Sequence, residues 1–173
     1  MKKILFSLIA LISVMTVQAQ SICASWRTMQ PIVETDEQGN FSAQSLLYTF
    51  NEDGTFAMSD ELTMSSEPAP TMALEIAVNV ELKGTYTLDG DVLTLTPDTE
   101  TLKPELLSVS VNGHVSEDPA IKANVESMFA SNEFKAQFAG EDQYTGVKVS
   151  DQMLQMSKDG QQLMLVRFAT VKN

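Results

Sequence analysis

The sequence predicts one all-β domain, an antiparallel up-and-down barrel of about eight or nine strands with one inserted helical segment. Three observations lead to this prediction. Long stretches alternate between apolar and polar residues, Asp-Gly turns separate pairs of such stretches, and only one segment has apolar residues at helical spacing. Closure of the sheet into a barrel would pair every strand edge.

The clearest alternation runs from Met72 to Lys83, where one parity is entirely apolar and the other is small or polar. This pattern is typical of a strand with one face in a core and the other in solvent. After Gly84 the same parity continues through Tyr86 and Leu88. We therefore expect one long strand that bends at the glycine to follow the curvature of the barrel.

Turn signals divide the rest of the chain into further strands. Asp53-Gly54, Asp89-Gly90 and Asp159-Gly160 each lie between two alternating stretches, which indicates antiparallel hairpins. The strands expected on this basis are 23–29, 46–50, 55–64, 72–88, 92–96, 106–111, 144–150, 153–157 and 163–171. The proline-containing segments 65–71 and 97–104 are expected to connect strands.

One segment has helical character. Asp118-Pro119 is typical of an N-cap followed by a first-turn proline, and Gly140 suits the residue after a helix. An apolar stripe follows, with a break expected at Ser131-Asn132; its members are Ile121, Val125, Met128, Phe129, Phe134 and Phe138. The helix could cover the barrel mouth or lie on the outer wall. The last strand is apolar on both faces, which favours the outer wall, where the helix would cover that strand.

The first nineteen residues have the features of a secretory signal peptide. Lys2 and Lys3 precede the apolar run Ile4–Val17, and Val17-Gln18-Ala19 suits cleavage. The run of about 14 residues is shorter than the roughly 20 that a spanning helix needs. We therefore expect an exported domain, residues 20–173, that is periplasmic or extracellular and has no membrane span after cleavage. Ile22 before Cys23 disfavours a lipid anchor, which needs a small residue there.

The chain is strongly acidic, with 11 Lys and Arg against 23 Asp and Glu and a net charge of −12. Loss of residues 1–19 removes two lysines and no acid, so the net charge becomes −14. Such a surface repels phosphates, and nucleic acid is not expected as a partner. Cys23 is the only cysteine, so stability must come from packing, and Cys23 is either a buried small side chain or a free thiol.

Several motifs resemble the small secreted lipocalin-like, calycin-type barrel proteins of Gram-negative bacteria. They are Ala24-Ser25-Trp26, Tyr48-x-Phe50-x₂-Asp53-Gly54-Thr55-Phe56, Gly84-Thr85-Tyr86-x-Leu88-x-Gly90-x₂-Leu93-x-Leu95, and Arg167 near the end of the chain. The resemblance implies that Arg167 stacks over Trp26 and closes the bottom of the barrel. It also implies a cavity for a small apolar molecule. Three departures are that Ala24 replaces the glycine of the family, that the single cysteine allows no internal disulfide, and that the helix precedes the last three strands.

The residues themselves allow such a cavity. Phe56, Met58, Asp60, Leu62 and Met64 share one strand face, which sets one carboxylate among large apolar side chains. Together with Tyr86 on the next strand, they are the candidate ligand-binding residues. The alternative is a filled core with Asp60 near a solvated rim, because an eight-strand barrel can either fill itself or hold one small ligand.

The sequence does not indicate a catalytic site or a metal site. His114 is the only histidine and follows the turn signal Asn112-Gly113, which suggests a solvated loop. No nucleophile and base can be paired by spacing. Met153 and Met156 lie three residues apart on a strand, so they face opposite ways and cannot clamp a metal. We expect no enzyme activity, metal or cofactor.

Two functions of different class remain. The first is a carrier or sensor of a small hydrophobic ligand. The second is an interaction module with a filled barrel, such as an enzyme inhibitor or an envelope assembly subunit, whose contact surfaces would be the segments 65–71 and 97–104. An internal void of a few hundred Å³ would favour the carrier, and a solid core would favour the module.

Overall fold

The computed structural model describes residues 21–36, 39–69 and 71–168. The predicted signal peptide, residues 1–19, lies outside the described residues, as do residues 169–171 of the last predicted strand. The elements in chain order are β1 (Ser25–Thr28), β2 (Ile32–Asp36), β3 (Gly39–Ala43), β4 (Leu47–Phe50), β5 (Thr55–Ala69), β6 (Met72–Asp89), β7 (Val92–Val111), β8 (His114–Val115), α1 (Pro119–Phe129), α2 (Asn132–Ala136), β9 (Asp142–Val149), β10 (Met153–Lys158) and β11 (Gln161–Arg167).

Eight strands close into an antiparallel barrel. The hydrogen-bonding order is β1-β4-β5-β6-β7-β9-β10-β11, and β11 pairs with β1 to complete the circle. Neighbours in the barrel follow one another along the chain, which confirms the predicted up-and-down architecture. Three strands lie outside this circle: the β2-β3 hairpin pairs with the upper part of β5, and β8 pairs with the end of β7.

The three longest strands extend well beyond the barrel, since β5, β6 and β7 have 15, 18 and 20 residues. The two strands expected at 92–96 and 106–111 are one strand, so the prediction of a connecting segment at 97–104 was wrong. Pairing with β6 holds this segment extended, with Pro97 opposite Gly84 and Pro104 opposite Val80. These prolines are tolerated because β9 pairs with β7 only at Leu93–Leu95 within the described residues, which leaves the other edge of β7 free here. Residues 65–69, also expected to connect strands, continue β5.

The inward face of this sheet carries two apolar cores. The barrel core fills the closed part and consists of Ile22, Trp26, Leu46, Tyr48, Phe50, Phe56, Leu93, Leu95, Tyr144, Leu154, Met156 and Leu165. The upper core lies on the extension and consists of Ala43, Leu62, Ile76, Val78, Val80, Leu82, Leu102, Val109, Val125, Phe129 and Phe134. Met58 and Ile32 pack against both cores, so the two are continuous.

The helices begin where the sequence predicts. The Asp118 carboxylate caps α1 by accepting from the Ala120 N–H, and Ser131 at the expected break caps α2 by accepting from the Phe134 N–H. The preferred placement on the outer wall was wrong: both helices contact β7, and Phe129 and Phe134 are buried in the upper core. Above the closed barrel no opposing wall faces the apolar side of the extension, so the apolar stripe of the helices covers it instead.

Gly84 lies at a close approach within the sheet. A methyl group on its Cα would come within 2.3 Å of the Thr96 carbonyl oxygen and 2.9 Å of Pro97 Cα. This crowding leaves no room for a side chain at position 84. Among the residues that the structure describes, no helix combines the length and the apolar character needed to cross a membrane.

Candidate functional site

The bottom of the barrel contains the pair expected from the resemblance. Trp26 and Arg167 are directly opposite each other on β1 and β11, and the Arg167 Cζ atom lies 5.7 Å from the centre of the indole ring. Trp26 is fully buried, and its Nε1–H donates to the Ile22 carbonyl at 2.7 Å. The exposed Arg167 guanidinium also donates to the Asp151 carbonyl at 3.3 Å.

The predicted ligand-binding residues of β5 share the inward face and are divided between the two cores. Phe56 packs in the barrel core, whereas Leu62 belongs to the upper core and Met64 packs against it. Met58 lies between the two cores. Along this face, the side chains contact neighbouring strands and helices of the same chain.

Tyr86 lies apart from this group, at the bottom of the barrel. Its hydroxyl donates to the Asn51 carbonyl at 2.8 Å and lies 3.3 Å from the Cys23 sulfur. Burial is the main cause that raises the pKa of Tyr86 to about 12. Val80 is opposite Asp60, and Tyr86 follows Val80 by six residues, about 20 Å along β6. Tyr86 therefore anchors the β4-β5 turn and cannot share a small ligand with Asp60.

Asp60 is buried, with 3% of its surface exposed, so it does not lie at a solvated rim. Its Oδ1 accepts from the Ser45 N–H at 3.0 Å. Burial raises the pKa of Asp60 to about 6, against the opposing effect of hydrogen bonds from the backbone of Ser45 and Glu61. The contact lies where β5 changes its neighbour from β4 to β3, so Asp60 holds the β3-β4 connection onto the barrel.

Sequence reasoning missed a polar group inside the barrel. The hydroxyls of Tyr48 and Tyr144 lie 3.5 Å apart, and burial raises the pKa of both tyrosines. Lys158 forms an ion pair with Asp142 and lies 5.9 Å from the centre of the Tyr144 ring. Burial alone would lower the pKa of Lys158, but the hydrogen bond and charge of Asp142 raise it above its ordinary value.

Thr28 adds a second unexpected feature to the interior. It faces inward on β1, opposite the fully buried Leu165. Its Oγ1 has no hydrogen-bond partner among the residues that the structure describes. Strand alternation from Trp26 could have identified Thr28 as inward-facing, but its lack of a partner depends on how the neighbouring strands pack around it.

Two neighbouring pockets lie on the outer wall, and another pocket, of about 500 Å³, lies between β7 and the helices, where it is lined by Leu102, Pro104, Glu105, Leu106, Glu126, Phe129, Ala130 and Lys135. One pocket of about 520 Å³ is lined by Leu47, Thr49, Ala57, Met58, Ser59, Glu81, Leu82, Lys83, Glu100, Thr101 and Lys103. A second pocket of about 740 Å³ is lined by Asn51, Thr55, Phe56, Ala57, Lys83, Gly84, Thr85, Thr96, Pro97 and Asp98. The two share Ala57 and Lys83, so they form one continuous depression, named here the outer groove.

The outer groove exists because β7 is irregular. Its pairing with β6 slips between the Glu81–Lys103 and Lys83–Asp98 pairs, so the intervening residues of β7 protrude. The Thr101 hydroxyl stabilises the protrusion by accepting from the Lys83 N–H at 2.8 Å and donating to the Asp98 carbonyl at 2.7 Å. This protrusion forms one wall of the groove, and the barrel strands form its floor.

The groove combines a floor of small side chains with charged walls. Ala57 and Ser59 lie in the floor, and four exposed charged side chains surround it: Glu81, Lys83, Glu100 and Lys103. No ion pair within 4.0 Å joins these four charges to each other or to other described residues. They are therefore free to pair with charges on a bound molecule. Within the described ranges, no three His, Cys, Asp or Glu side chains gather closely enough to hold a metal ion.

Comparison with known proteins finds similar solved structures but no similar sequence. No protein-family model matches the sequence, and no curated protein matches it. The structure is similar to the crystal structure, at 2.60 Å resolution, of an uncharacterized protein from Bacteroides eggerthii DSM 20697. The two chains are 13% identical with a TM-score of 0.43, over 86% of this chain and 100% of the other.

Proposed function

We propose that this chain is an exported interaction module, without catalytic activity, whose filled barrel supports a binding groove on its outer wall. The observation that carries the proposal is the outer groove with its four exposed charged side chains. The groove lies between the barrel wall and the protruding part of β7, within the segment 97–104 that the sequence suggested as a contact surface. The export itself rests on the N-terminal segment.

The packing of the barrel core supports a filled scaffold. An eight-strand barrel has room either for its own side chains or for one small ligand. Here Trp26, Leu93, Leu154, Met156 and Leu165 are almost completely inaccessible. Aromatic rings occupy the space between them, with Phe50 5.0 Å from Tyr86 and 5.8 Å from Tyr48 between ring centres.

The shape and chemistry of the outer groove favour an extended polypeptide segment as its ligand. The floor along β5 from Thr55 to Ser59 is about 16 Å long, which matches about five extended residues. Small floor residues let a backbone approach closely, and the unpaired lysines and glutamates can pair with side chains of either sign. The expected partner is therefore a protein that presents an extended segment with charges of both signs.

A random peptide library displayed on phage tests this proposal. Selected peptides should bind the native protein and lose at least about tenfold in affinity for Ser59→Trp, because the indole fills the groove floor. Thr145→Trp, on the exposed side of β9, is the matched control and should bind like the native protein. Peptides that bind Ser59→Trp and the native protein equally would contradict the proposal.

A second candidate is a carrier of a small hydrophobic ligand. The observation in its favour is the unpartnered Thr28 hydroxyl and the buried Asp60 carboxyl on the inward face, since ligand sites combine apolar linings with a few polar groups. A hydrophobic fluorescent probe should then bind at one saturable site that Met58→Trp blocks and the outward-facing Met153→Trp does not. Absence of saturable binding would contradict the carrier function and leave the interaction module as the remaining proposal.

A further inference from the structure

The outer face of β9, β10, β11 and β1 carries no carboxylate among its described residues. The chain has 23 Asp and Glu, but these four strands contain only Asp142, which faces inward and pairs with Lys158. Four of the 11 Lys and Arg lie on the same strands: Arg27, Lys148, Lys158 and Arg167. We call the outward residues of these strands, with the adjoining Met29 and Phe168, the carboxylate-free wall.

The strand register shows how the wall is arranged. Met164 on β11 is opposite Gln155 on β10, and Gln155 is opposite Lys148 on β9. Two residues further along β11, Val166 is opposite Met153 on β10 and Arg27 on β1. The apolar side chains therefore occupy the centre of the wall, and the two outward cations, Arg27 and Lys148, lie at its sides.

This apolar centre is exposed to an unusual degree. Four of the ten large apolar side chains that are exposed among the described residues belong to the wall: Met29 at 62%, Met153 at 40%, Met164 at 47% and Phe168 at 40%. Single exposed apolar residues are ordinary, but a contiguous group of them marks a contact surface. Enrichment in Met, Phe and Arg with loss of acidic residues is the composition of a protein–protein interface.

We propose that the carboxylate-free wall binds a second copy of this chain. With a net charge of −12, two copies repel each other over most of their surfaces, and contact through this wall avoids direct apposition of carboxylates. Carboxylates reappear at the ends of the wall, where Asp151 and Asp159 lie in the turns before and after β10. The wall thus presents cations and the turns that border it present acids, a charge pattern that complements a second copy of the same chain.

The wall is large enough for a specific contact between two copies. Four strands at a spacing of about 4.8 Å give a width of roughly 15–20 Å, which corresponds to the small end of specific interfaces. We expect a reversible dimer. The outer groove, built on β4 to β7, lies outside the wall, so this proposal is independent of the proposed function.

Sedimentation equilibrium of the full chain, under reducing conditions and at about 1 to 500 μM, measures this dimer directly. We expect a monomer–dimer equilibrium that weakens at least about tenfold in Met164→Glu and Met153→Glu, since each change sets like charges against each other across the interface. Leu107→Glu is the matched control, because Leu107 is 48% exposed on β7, away from the wall, and should leave the equilibrium unchanged. Circular dichroism verifies that each variant is folded.

Three results would overturn the proposal. The first is a native chain that stays monomeric over the whole concentration range. The second is a dimer that the Met164 and Met153 variants do not weaken. The third is a monomeric native chain that co-sediments with vesicles of phosphatidylcholine and phosphatidylglycerol and loses this binding in Met164→Glu, which would assign the wall to a lipid surface instead.

Discussion

Individual residues in this barrel combine apolar packing with a small number of polar contacts. Trp26 fills the bottom of the barrel core and uses its only polar atom to bond the Ile22 carbonyl. Asp60 is buried among apolar neighbours and uses one oxygen to hold the Ser45 backbone. Both residues serve the fold, and both can be tested by single substitutions.

Arg167→Ala should destabilise the fold by about 1 kcal/mol and change the fluorescence of Trp26, because it removes a cation and an aliphatic stem from the indole face. Urea unfolding and emission spectra measure the two effects. Arg27→Ala is the control, since Arg27 neighbours Trp26 but points outward. If the two variants behave alike, the stacking of Arg167 on Trp26 does not stabilise the fold.

Asp60 should impose a pH dependence on stability. The pKa of this carboxyl is about 6 in the folded chain and 3.8 in its ordinary state, so between these values the folded chain retains a proton that the unfolded chain has released. The free energy of unfolding therefore falls as the pH rises from about 4 to about 6, and this contribution is level above that interval. Asp60→Asn remains uncharged and can still accept from Ser45, so it should lack this fall.

Urea unfolding of the native chain and Asp60→Asn at several pH values isolates this contribution from the other acids. Relative to the native chain, the variant should gain about 1–3 kcal/mol between pH 4 and pH 7. A constant difference between the two over this range would contradict the assignment of the raised pKa to Asp60.

At the scale of elements, the long strands determine where everything else lies. β5, β6 and β7 supply the barrel wall below and the sheet under the helices above. Gly84 on β6 lies between these two parts, opposite Phe56 on β5 and Pro97 on β7. The irregular pairing above it produces the outer groove.

Gly84→Ala should destabilise the fold by about 3 kcal/mol, because the added methyl group overlaps the Thr96 carbonyl and the Phe56 ring. Gly90→Ala provides the comparison: Gly90 has a φ of +61° but no atom within 4 Å of an added Cβ, so it should lose only about 1 kcal/mol through backbone strain. Thermal unfolding measures the loss of stability in each variant. Equal losses would show that close packing at Gly84 is not what requires a glycine there.

For the whole molecule, the two cores should unfold together. The same three strands pass through both cores, and Met58 and Ile32 pack against both. Disruption of either core therefore exposes apolar surface of the other. Trp26 fluorescence reports on the barrel bottom, and far-ultraviolet circular dichroism reports on the sheet and helices.

The two signals should follow one coincident transition in urea. Phe134→Ala removes a buried ring from the upper core. It should lower the free energy of unfolding by about 3 kcal/mol, so both transitions should move together to a lower urea concentration. Separate transitions for the two probes in the native chain would mean that the helix-covered extension is an independent folding unit.

The sequence alone determined the barrel strands that alternate strictly, the Asp-Gly hairpins and the helix starts, because each depends on local periodicity or on one turn or cap. The alternation from Met72 to Leu88 predicted β6 almost to its ends, Asp118 predicted the cap of α1, and Ser131-Asn132 predicted the break before α2. The resemblance placed Trp26 and Arg167 together, as the structure does.

Tertiary structure decided which elements lie outside the circle of eight strands and which side chains pack inside it. The β2-β3 hairpin and the extended course of 97–104 depend on pairing with β5 and β6, which no local pattern encodes. The long strands extend above the closed part of the barrel, where no described strand lies opposite their apolar face. The helices cover this face as part of the upper core. The long strands also spread the candidate ligand residues over two cores, and the outer groove forms where β7 protrudes.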